Sequence, residues 1–533
     1  MHSLKVYIQR LTLNQLIALV IILCLPAFLL HLDTIAFIGD EGLRSQVALE
    51  MKLSGDFIVP TLNGEPYYNK PPLYNWMIYL MSMAMGYFGE WPARLTTLLF
   101  LAIFACTVYY FVRKQFDQLT AVTIAFMTLT SGRILFWDSM LGLIDICFSW
   151  VIYVNFMCLY TLGKAQRWKV MFTLSWLLFS IAFLLKGLPA IVFQGISILV
   201  ALQLHGVLKR KLFSVDHWLG IGIGIVPILA YYIPYATQVK IEHVFAILFD
   251  QSMQRTGTHH GVWKTIKHIF TFPFEQVYHF LPWSVLSLLF FHPKFKTWMK
   301  SHEFIRFNFW LLAANLPVYW LSVQVYPRYL LMFIPLFSMI GYFILQKDKE
   351  HNLKLWIGLR YSFMALAVLV LISFVFMFIS PEARSLPHFM LIWISASVVM
   401  AFGCFGLWSD QSRMFLWMAI CLLIVRSVFD LVVLPIRAAN HAVNEIRDDC
   451  KRIADTYGNE TWHLYKETFP HNVARFYTTA YSDQIIRNVM EVKDDKALFL
   501  VDQRLYPDFP GFKIDSIQIE GRQYLALMRP FNK

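Results

Sequence analysis

The stretch IGDEGLRSQVALEMKLSGDFIVPTLNGEPYYNKPPLYNWM, residues 38–77, interrupts a chain that is otherwise strongly apolar. It opens with two adjacent acids, Asp40 and Glu41, continues through a turn-forming Leu-Asn-Gly at 62–64 and contains Lys-Pro-Pro at 70–72. Charged side chains and an irregular backbone are both unfavourable in lipid. The stretch therefore predicts a loop at a membrane surface, where water or a ligand can bind its polar groups.

The composition around this loop is that of a membrane protein. Of 533 residues, 58% are hydrophobic and 15% are charged, whereas soluble domains carry roughly 25% charge. The mean hydropathy is +0.53. Apolar runs near the roughly 20 residues that cross a bilayer recur along the chain. We predict an all-α polytopic membrane protein and exclude an ordinary soluble domain.

The distribution of Lys and Arg sets the expected topology. With the N-terminus inside, nearly every short basic loop also lies inside, which satisfies the positive-inside rule and accounts for much of the +12 net charge without nucleic acid. Residues 72–88 would invert this pattern if they crossed, so we predict an interfacial helix there. About thirteen spans result, with the C-terminus outside: 14–31, 94–112, 119–136, 146–163, 169–185, 189–205, 217–236, 278–292, 307–325, 329–346, 355–379, 388–407 and 414–434.

This topology gathers the costly polar residues at the outer face, in a first outer loop at 32–93 and a long loop at 237–277. Two carboxylates at Asp40 and Glu41 suit a general base, a metal ligand or a clamp for sugar hydroxyls. The alternative is a pair of hydrated loop acids near the end of a span. A concentration of such groups at one membrane face favours chemistry there.

Three further residues have a functional and a structural interpretation. Lys186, in IAFLLKGLPAIVF, is an ammonium in an apolar run that needs a partner such as a phosphate, or it is a turn residue at a span end. Lys70 is either a cation positioned by the paired prolines that follow it or a snorkelling lysine. Asp145 opens a span and is either a site acid or a helix cap.

Other polar residues carry weaker signals. Asp138 is the neighbouring candidate acid and ranks below Asp145. Arg426 and Asp430 stand at i,i+4 in the last span, so we expect them to pair inside the bundle. The long outer loop holds Arg255 and the adjacent His259 and His260, without a third ligand at a recognised zinc spacing. A loop of this length is typical of a lid.

Taken in order, these motifs resemble a known family. DEGLRSQVALEMKLSGDFIVPTLNGEPYYNKPPL resembles the first outer loop of the bacterial aminoarabinose (4-amino-4-deoxy-L-arabinose) lipid A transferases, which are grouped with the protein mannosyltransferases among the GT-C glycosyltransferases. The resemblance continues over about the first 345 residues through the segments EWPARLTTLLF, MLGLIDICF, LLKGLPAIVF, DQSMQR, FLPWSVL and VYPRYLLMFIPLF.

The resemblance implies a reaction: an inverting transfer of a sugar from a polyprenyl (undecaprenyl) phosphate carrier to an acceptor on the outer face of the bacterial inner membrane. Asp40 would be the main catalytic carboxylate, with Glu41 beside it and Asp145 as the second acid. The leaving phosphate is already anionic, so it needs cations rather than a general acid. The residues expected to bind the carrier phosphate are Lys70, Lys186, Arg255, Arg44 and Tyr329, and Tyr67 and Tyr68 would line the substrate cavity.

Two positions depart from the family pattern. An Arg is common two places after the acid pair, but that position is Leu43 here, and Arg44 follows it. A Glu is common before Lys-Pro-Pro, where it joins a loop His in binding a metal, but this chain has Asn69. The resemblance therefore predicts no certain cofactor, and His259 and His260 are the candidate ligands if a divalent metal is bound.

The chain changes character near its end. We predict a transmembrane glycosyltransferase domain at 1–438 and a soluble α/β domain outside the membrane at 439–533. In the second, HAVNEIRDDCKRIADTYG predicts an amphipathic helix, ALFLVDQ a strand, and FKIDSIQIEGRQYLALMRP a strand pair with a turn near Gly521. It shows no catalytic cluster, so we expect it to pack over the cavity or to meet the acceptor.

The sequence leaves more than one acceptor and more than one class of function open. Lipid A, a related envelope glycan and protein O-glycosylation all require outer-facing machinery of this kind. A polytopic lipid or sugar transporter is a different class, but it predicts inverted repeats and charges at mid-depth. A non-catalytic envelope protein does not account for the acids and lysines at the outer face.

Overall fold

The structure is a computed structural model that describes residues 2–240, 242–244, 246–247, 250, 261–519 and 523–531. As predicted, most of the chain is α-helical and the part near its C-terminus forms a small sheet. The α-helices in chain order are His2–Arg10, Leu13–Leu29, Asp40–Ser54, Leu73–Met85, Glu90–Arg113, Gln118–Leu129, Gly132–Phe136, Asp145–Lys164, Trp168–Lys186, Pro189–Leu204, Leu208–Lys211, Val215–Gln238, Val262–His279, Phe295–Ser301, Glu303–Asn315, Pro317–Trp320, Ile334–His351, Leu353–Ile379, Pro381–Arg384, Phe389–Ser409, Met414–Val428, Leu434–Ala438, Ala442–Tyr457 and Asn472–Ser482.

Tighter and wider turns extend several of these helices. The 3₁₀ segments are Asp138–Met140, Trp283–Phe291, Pro327–Phe333 and Gln411–Arg413, and a π-helical turn spans Phe429–Val433. Within the described residues, eight helical segments are long and apolar enough to cross a membrane, or nine if the bent pair Gln118–Leu129 and Gly132–Met140 is one span. The predicted count of thirteen is therefore not confirmed.

Two predicted spans are not single long helices. Residues 278–292 contain the nine-residue 3₁₀ segment Trp283–Phe291, and residues 307–325 are divided between Glu303–Asn315 and Pro317–Trp320. Proline accounts for these breaks because it lacks the backbone N–H and its ring clashes with the preceding turn of a helix. Pro282 and Pro317 stand at the two interruptions.

The segment predicted to lie in the interface forms the helix Leu73–Met85, which has 13 residues and ends at Gly86 in the left-handed conformation. At 1.5 Å per residue such a helix is about 20 Å long. That length is short of the roughly 30 Å of bilayer hydrocarbon, which agrees with a segment that does not cross. Its place at a membrane surface remains a prediction.

The C-terminal sheet has five strands, in the order β4-β3-β5-β7-β6. The strands are β3 Trp462–Tyr465, β4 Arg487–Val489, β5 Leu498–Val501, β6 Gly511–Ile519 and β7 Gln523–Pro530; the two-residue strands β1 Thr61–Leu62 and β2 Glu65–Pro66 form a hairpin in the first loop. Strand β3 pairs in parallel with β4 and β5, and β7 pairs antiparallel with β5 and β6. The predicted helix, strand and strand pair are all present.

The apolar core is continuous from the helical bundle into this sheet domain, defined here as residues 442–530. One cluster of buried side chains includes Ala36, Phe37 and Leu49 of the first loop together with Ile446 and Phe476 of the sheet domain. Phe37 and Phe476 are in edge-to-face contact, with ring centroids 4.8 Å apart. The sheet domain therefore packs directly on the first loop, which carries the predicted site.

Candidate active site

Asp40 is the first residue of the helix Asp40–Ser54, which we call the first-loop helix. The preceding residue, Gly39, has φ +57°, and a Cβ built there would meet nothing within 4 Å. The backbone conformation, rather than crowding, therefore favours glycine at this position. Asp40 and Glu41 lie in the first helical turn, where the helix dipole stabilises negative charge.

Glu41 is completely buried and accepts hydrogen bonds from three residues. Arg94 binds it in bidentate fashion, with Nε 2.9 Å from Oε1 and Nη2 3.0 Å from Oε2. The backbone N–H groups of Gly142 and Ile38 donate to it at 2.6 Å and 3.0 Å. The carboxylate thus fastens the start of the first-loop helix to a span and to the segment before Asp145.

Asp40 belongs instead to a chain of alternating charges. Its Oδ2 lies 3.3 Å from Nη2 of Arg328, and the Nε atom of Arg328 lies 3.3 Å from Oδ2 of Asp145. Lys186 Nζ donates to the other oxygen of Asp145 at 2.5 Å. The side chain of Asp40 is 54% exposed, whereas those of Asp145 and Lys186 are 6% and 4% exposed. Asp40 is therefore the carboxylate that a substrate can reach.

Aromatic rings surround the cations of this chain. Lys186 Nζ lies 4.0 Å from the ring centroid of Tyr329 and 5.0 Å from that of Phe148. The guanidinium of Arg328 lies 4.4 Å from the ring of Tyr326. Such contacts attract cations through the negative face of the ring and restrict their position. Tyr329, predicted to bind the carrier phosphate, is buried beside Lys186.

Arg44 and Tyr67 form a second buried pair next to Asp40. The guanidinium carbon of Arg44 lies 5.8 Å from the Tyr67 ring centroid, and Arg44 Nη1 has no hydrogen-bond partner within the described part of the chain. Burial raises the pKa of Tyr67, Arg44 opposes that shift, and the negative charge of Asp40 adds to it. The three groups are thus close enough to influence one another, and Arg44 offers a buried donor for an anion.

Another buried carboxylate, Glu50, holds the β1–β2 hairpin that leads to Tyr67. It accepts hydrogen bonds from Thr61 Oγ1 and Asn63 N–H at 2.7 Å and from Gly64 N–H at 3.0 Å. The Leu-Asn-Gly turn noted in the sequence therefore folds around a carboxylate of the first-loop helix. This places the Tyr-Tyr-Asn-Lys segment that follows it.

Two further predicted residues lie in the first loop. Tyr68 lies with its ring centroid 6.4 Å from that of His243, and Lys70 is half-buried in the loop before the helix Leu73–Met85. Arg255, His259 and His260 lie outside the described residues. Among the residues that are described, no group of three or more His, Cys, Asp or Glu side chains could hold a metal.

Two predicted acids pair elsewhere. Asp138 is bound by Arg133, whose Nε lies 3.2 Å from both of its carboxylate oxygens. Arg426 Nε donates to Asp430 Oδ2 at 2.9 Å, and both residues are completely buried. The predicted structural pair in the last span is confirmed.

Arg328 and Arg94 were not predicted as site residues. Arg328 lies in the segment VYPRYLLMFIPLF, in which only Tyr329 was assigned a role. A single Arg among aromatic and apolar residues in a predicted outer loop was the available signal. Arg94, in EWPARLTTLLF, had the same signal, because a charge inside an apolar span requires a partner.

A cavity of about 340 Å³ is lined by Ile38 and Arg94 and also by Arg437 and His441, near the end of the last apolar helical segment. Ile38 is two residues from Asp40, so their Cα atoms are separated by at most about 7 Å. The cavity is therefore lined by the segment that leads into Asp40, although Asp40 itself is not one of the lining residues.

Known proteins share this fold. A family model described as dolichyl-phosphate-mannose-protein mannosyltransferase matches residues 69–234. ArnT from Cupriavidus metallidurans, solved bound to undecaprenyl phosphate, superposes with a TM-score of 0.67 at 16% identity, covering 97% of this chain and 98% of that one. Its apo structure gives a TM-score of 0.65, with the same identity and coverage.

A more distant structure is the archaeal oligosaccharyltransferase AglB from Archaeoglobus fulgidus, with a TM-score of 0.45, 10% identity, and coverage of 89% of this chain and 64% of that one. No curated protein sequence matches the chain. The family-model match over residues 69–234 and the fold shared with ArnT confirm the predicted resemblance to the GT-C glycosyltransferases, and the long apolar helices agree with a multi-pass membrane protein.

Proposed function

We propose that the chain transfers a sugar from an undecaprenyl phosphate carrier to lipid A or a related envelope acceptor, with inversion at the anomeric carbon. The observation that carries this proposal is the chain of charges in which Arg328 joins the exposed Asp40 to the buried Asp145, which also holds Lys186. The ArnT structure of the same fold was solved with undecaprenyl phosphate bound.

Asp40 is the acid that acts on the acceptor in this proposal. Its exposure allows it to orient or deprotonate an acceptor hydroxyl, and if the acceptor is an ionised phosphate it only positions that group. Arg328 holds this carboxylate in place through the contact between its Nη2 atom and Oδ2 of Asp40. Asp145 does not contact the acceptor in this proposal. It positions Lys186 and Arg328 at the site through its two ion pairs.

The cations of the site would stabilise the departing carrier phosphate, which gains negative charge as the glycosidic bond breaks. Lys186 and Arg44 are buried donors on either side of the acids, and Tyr329 lies against Lys186. An ammonium has three N–H donors, so pairing with Asp145 is compatible with a phosphate contact. Lys70 and Arg255 complete the proposed phosphate set, and Tyr67 and Tyr68 line the sugar pocket.

In this proposal Glu41 has a different role from the catalytic one predicted for it. Each of its oxygens accepts two hydrogen bonds. A carboxylate bound in this way has little capacity left to accept a hydrogen bond from a substrate. We assign it as a positioning residue that fixes the helix turn bearing Asp40.

The acceptor would approach through the cavity beside Ile38. Its walls are largely apolar, and the basic residue Arg437 and His441 also line it. A lipid with a phosphorylated sugar headgroup matches both features, since the basic residues attract phosphate and the walls accept acyl chains. In this arrangement residues 1–438 catalyse transfer, residues 439–533 lie in the periplasm, and the N-terminus is cytoplasmic.

The test is mass spectrometry of lipid A from bacterial cells that express the wild-type chain, Asp40→Asn or the control Glu65→Gln. Glu65 is an exposed acid of the same loop. We expect a pentose-sized, amine-bearing addition with the wild type and the control, and its loss in Asp40→Asn at equal protein level. Full modification by Asp40→Asn would overturn the catalytic assignment.

A protein acceptor is the second candidate, and the description of the matched family model favours it. The two candidates share the site and differ only in the acceptor. If lipid A is unchanged, glycopeptide analysis of envelope proteins from the same cells separates them. If the protein is a transporter, neither modified lipid A nor a glycosylated envelope protein is expected.

A further inference from the structure

The segment between the first apolar helix and Asp40, residues 33–38, has its backbone held by the sheet domain; we call this segment the strap. Asn444 Oδ1 accepts from the N–H of Ala36 at 2.7 Å, and its Nδ2 donates to the carbonyl of Thr34 at 3.0 Å. The hydroxyl of Tyr477 accepts from the N–H of Phe37 at 3.0 Å.

The helical bundle holds the other side of the strap. Arg94 donates to the carbonyl oxygens of Ile35 and Ala36 at 2.7 Å and 3.2 Å, and Glu41 accepts from the N–H of Ile38. The strap is therefore hydrogen-bonded to both domains along its length. Its position depends on the two domains together.

Tyr477 is itself firmly placed. It is 2% exposed, and its hydroxyl donates to Oε1 of Glu90 at 2.5 Å, an oxygen that also accepts from Arg447 Nη1 at 2.9 Å. Burial, followed by the charge of Glu90, raises the pKa of Tyr477. The hydroxyl thus keeps its proton and can donate to Glu90 while it accepts from Phe37.

We propose that Tyr477 and Asn444 are positioning residues for the reaction, which fix the strap and through it the place of Asp40. This inference rests on the proposed catalytic role of Asp40. Three peptide units separate Phe37 from Asp40, and successive Cα atoms are 3.8 Å apart. Between the anchored N–H of Ile38 and Asp40 there is only Gly39, which has a positive φ of +57° at the start of the helix.

The test uses Tyr477→Phe and Asn444→Ala in the full-length chain in nanodiscs. The matched control is Tyr506→Phe, because the hydroxyl of Tyr506 also accepts from a backbone N–H, that of Glu467 at 3.2 Å, but within the sheet domain. Hydrogen exchange is measured over residues 36–41. Turnover is measured with undecaprenyl-phosphate-linked 4-amino-4-deoxy-L-arabinose and lipid A.

We expect exchange over residues 36–41 to accelerate roughly fivefold in both strap variants, which corresponds to the loss of a hydrogen bond of about 1 kcal/mol. We also expect kcat to fall roughly fivefold while KM for the sugar carrier stays constant, because Lys186 and Arg44, the proposed phosphate donors, lie outside the strap and make none of its hydrogen bonds. The control should change neither quantity. Measurements are made well below the unfolding temperature of each variant.

Acceleration confined to residues 36–37, or an unchanged kcat in both strap variants, would overturn the inference. A rise in KM for the carrier with constant kcat would also overturn it, since that is the pattern of a binding defect. Failure of the proposed function has a different signature. In that case Asp40→Asn keeps its activity, whatever the exchange rate of the strap.

Discussion

The guanidinium of Arg328 lies 3.3 Å from the carboxylate of Asp40, although 288 positions separate the two residues in the chain. The same guanidinium lies 3.3 Å from Asp145, so one side chain holds both acids of the site. A guanidinium has five N–H donors in a planar fork, so it can bind two carboxylates at once. Arg328 therefore fixes the position of Asp40 relative to Asp145.

We expect Arg328→Ala to lower kcat by roughly 10- to 100-fold, the equivalent of about 1.5–3 kcal/mol for hydrogen bonds to a charged group. Arg328→Lys should recover part of this loss, because it keeps the charge but not the planar fork that reaches both acids. The measurement is steady-state turnover of purified protein at equal folded fraction.

The control for Arg328 is Arg384→Ala, since Arg384 is an exposed arginine of the short helix Pro381–Arg384. Its kcat should equal that of the wild type. Wild-type turnover by Arg328→Ala would contradict the bridging role.

Glu41→Gln should destabilise the protein, unlike Asp40→Asn. The amide removes the charge that Arg94 binds and turns an N–H₂ group toward buried donors, and breaking a buried pair of this kind costs about 3–5 kcal/mol. Thermal unfolding in detergent measures the effect. We expect a clear fall in Tm for Glu41→Gln and no more than a small change for Asp40→Asn. Equal Tm values in the two variants would contradict the distinction between them.

Site residues could be predicted from the sequence where a side chain occupies a position that is energetically unfavourable without a partner. Lys186 and Asp145 were recognisable because a charge next to an apolar run needs a partner, and the structure pairs them with each other. Helices and strands with clear periodicity were also predictable, including Ala442–Tyr457 and the antiparallel pair β6–β7. Each of these follows from local pattern alone.

Contacts between distant segments were not predictable in this way. Glu41 and Asp40 are adjacent acids that the sequence alone does not distinguish. Glu41 is the buried one because Arg94 and Gly142, which are distant in the chain, donate hydrogen bonds to it. Strand β3 and helix Asn472–Ser482 were missed, because both are short and buried residues of the helix, such as Phe476, pack on the first loop. The number of spans is not confirmed, because prolines divide two of the predicted apolar runs and hydropathy does not register such a break.

Lys186→Ala should weaken binding of undecaprenyl phosphate roughly tenfold, the loss expected for one hydrogen bond to a charged group. Asp145 keeps its ion pair with Arg328 in this variant, so the fold should survive. Lys186→Met, which retains the length of the side chain, separates loss of charge from loss of packing. Binding is measured by thermophoresis or by the rise in Tm with added carrier.

Lys52→Ala is the matched control for Lys186, because Lys52 is a half-exposed lysine at the end of the first-loop helix. Its affinity for the carrier should not change. If Lys186→Ala binds the carrier as tightly as the wild type does, Lys186 is a structural residue that pairs with Asp145.

Arg437→Glu should affect the acceptor and not the carrier, because Arg437 lines the cavity beside Ile38, whereas Lys186 and Arg44 lie in the acid cluster. Reversal of an exposed charge next to a lipid phosphate repels the headgroup, so KM for lipid A should rise roughly tenfold, a loss of about 1.4 kcal/mol. The affinity for undecaprenyl phosphate and kcat at saturating acceptor should remain those of the wild type. Arg384→Glu, which reverses an exposed charge outside the cavity lining, should leave all three quantities unchanged. A variant at Arg437 that lowers carrier affinity and leaves KM for lipid A constant would instead assign this cavity to the donor.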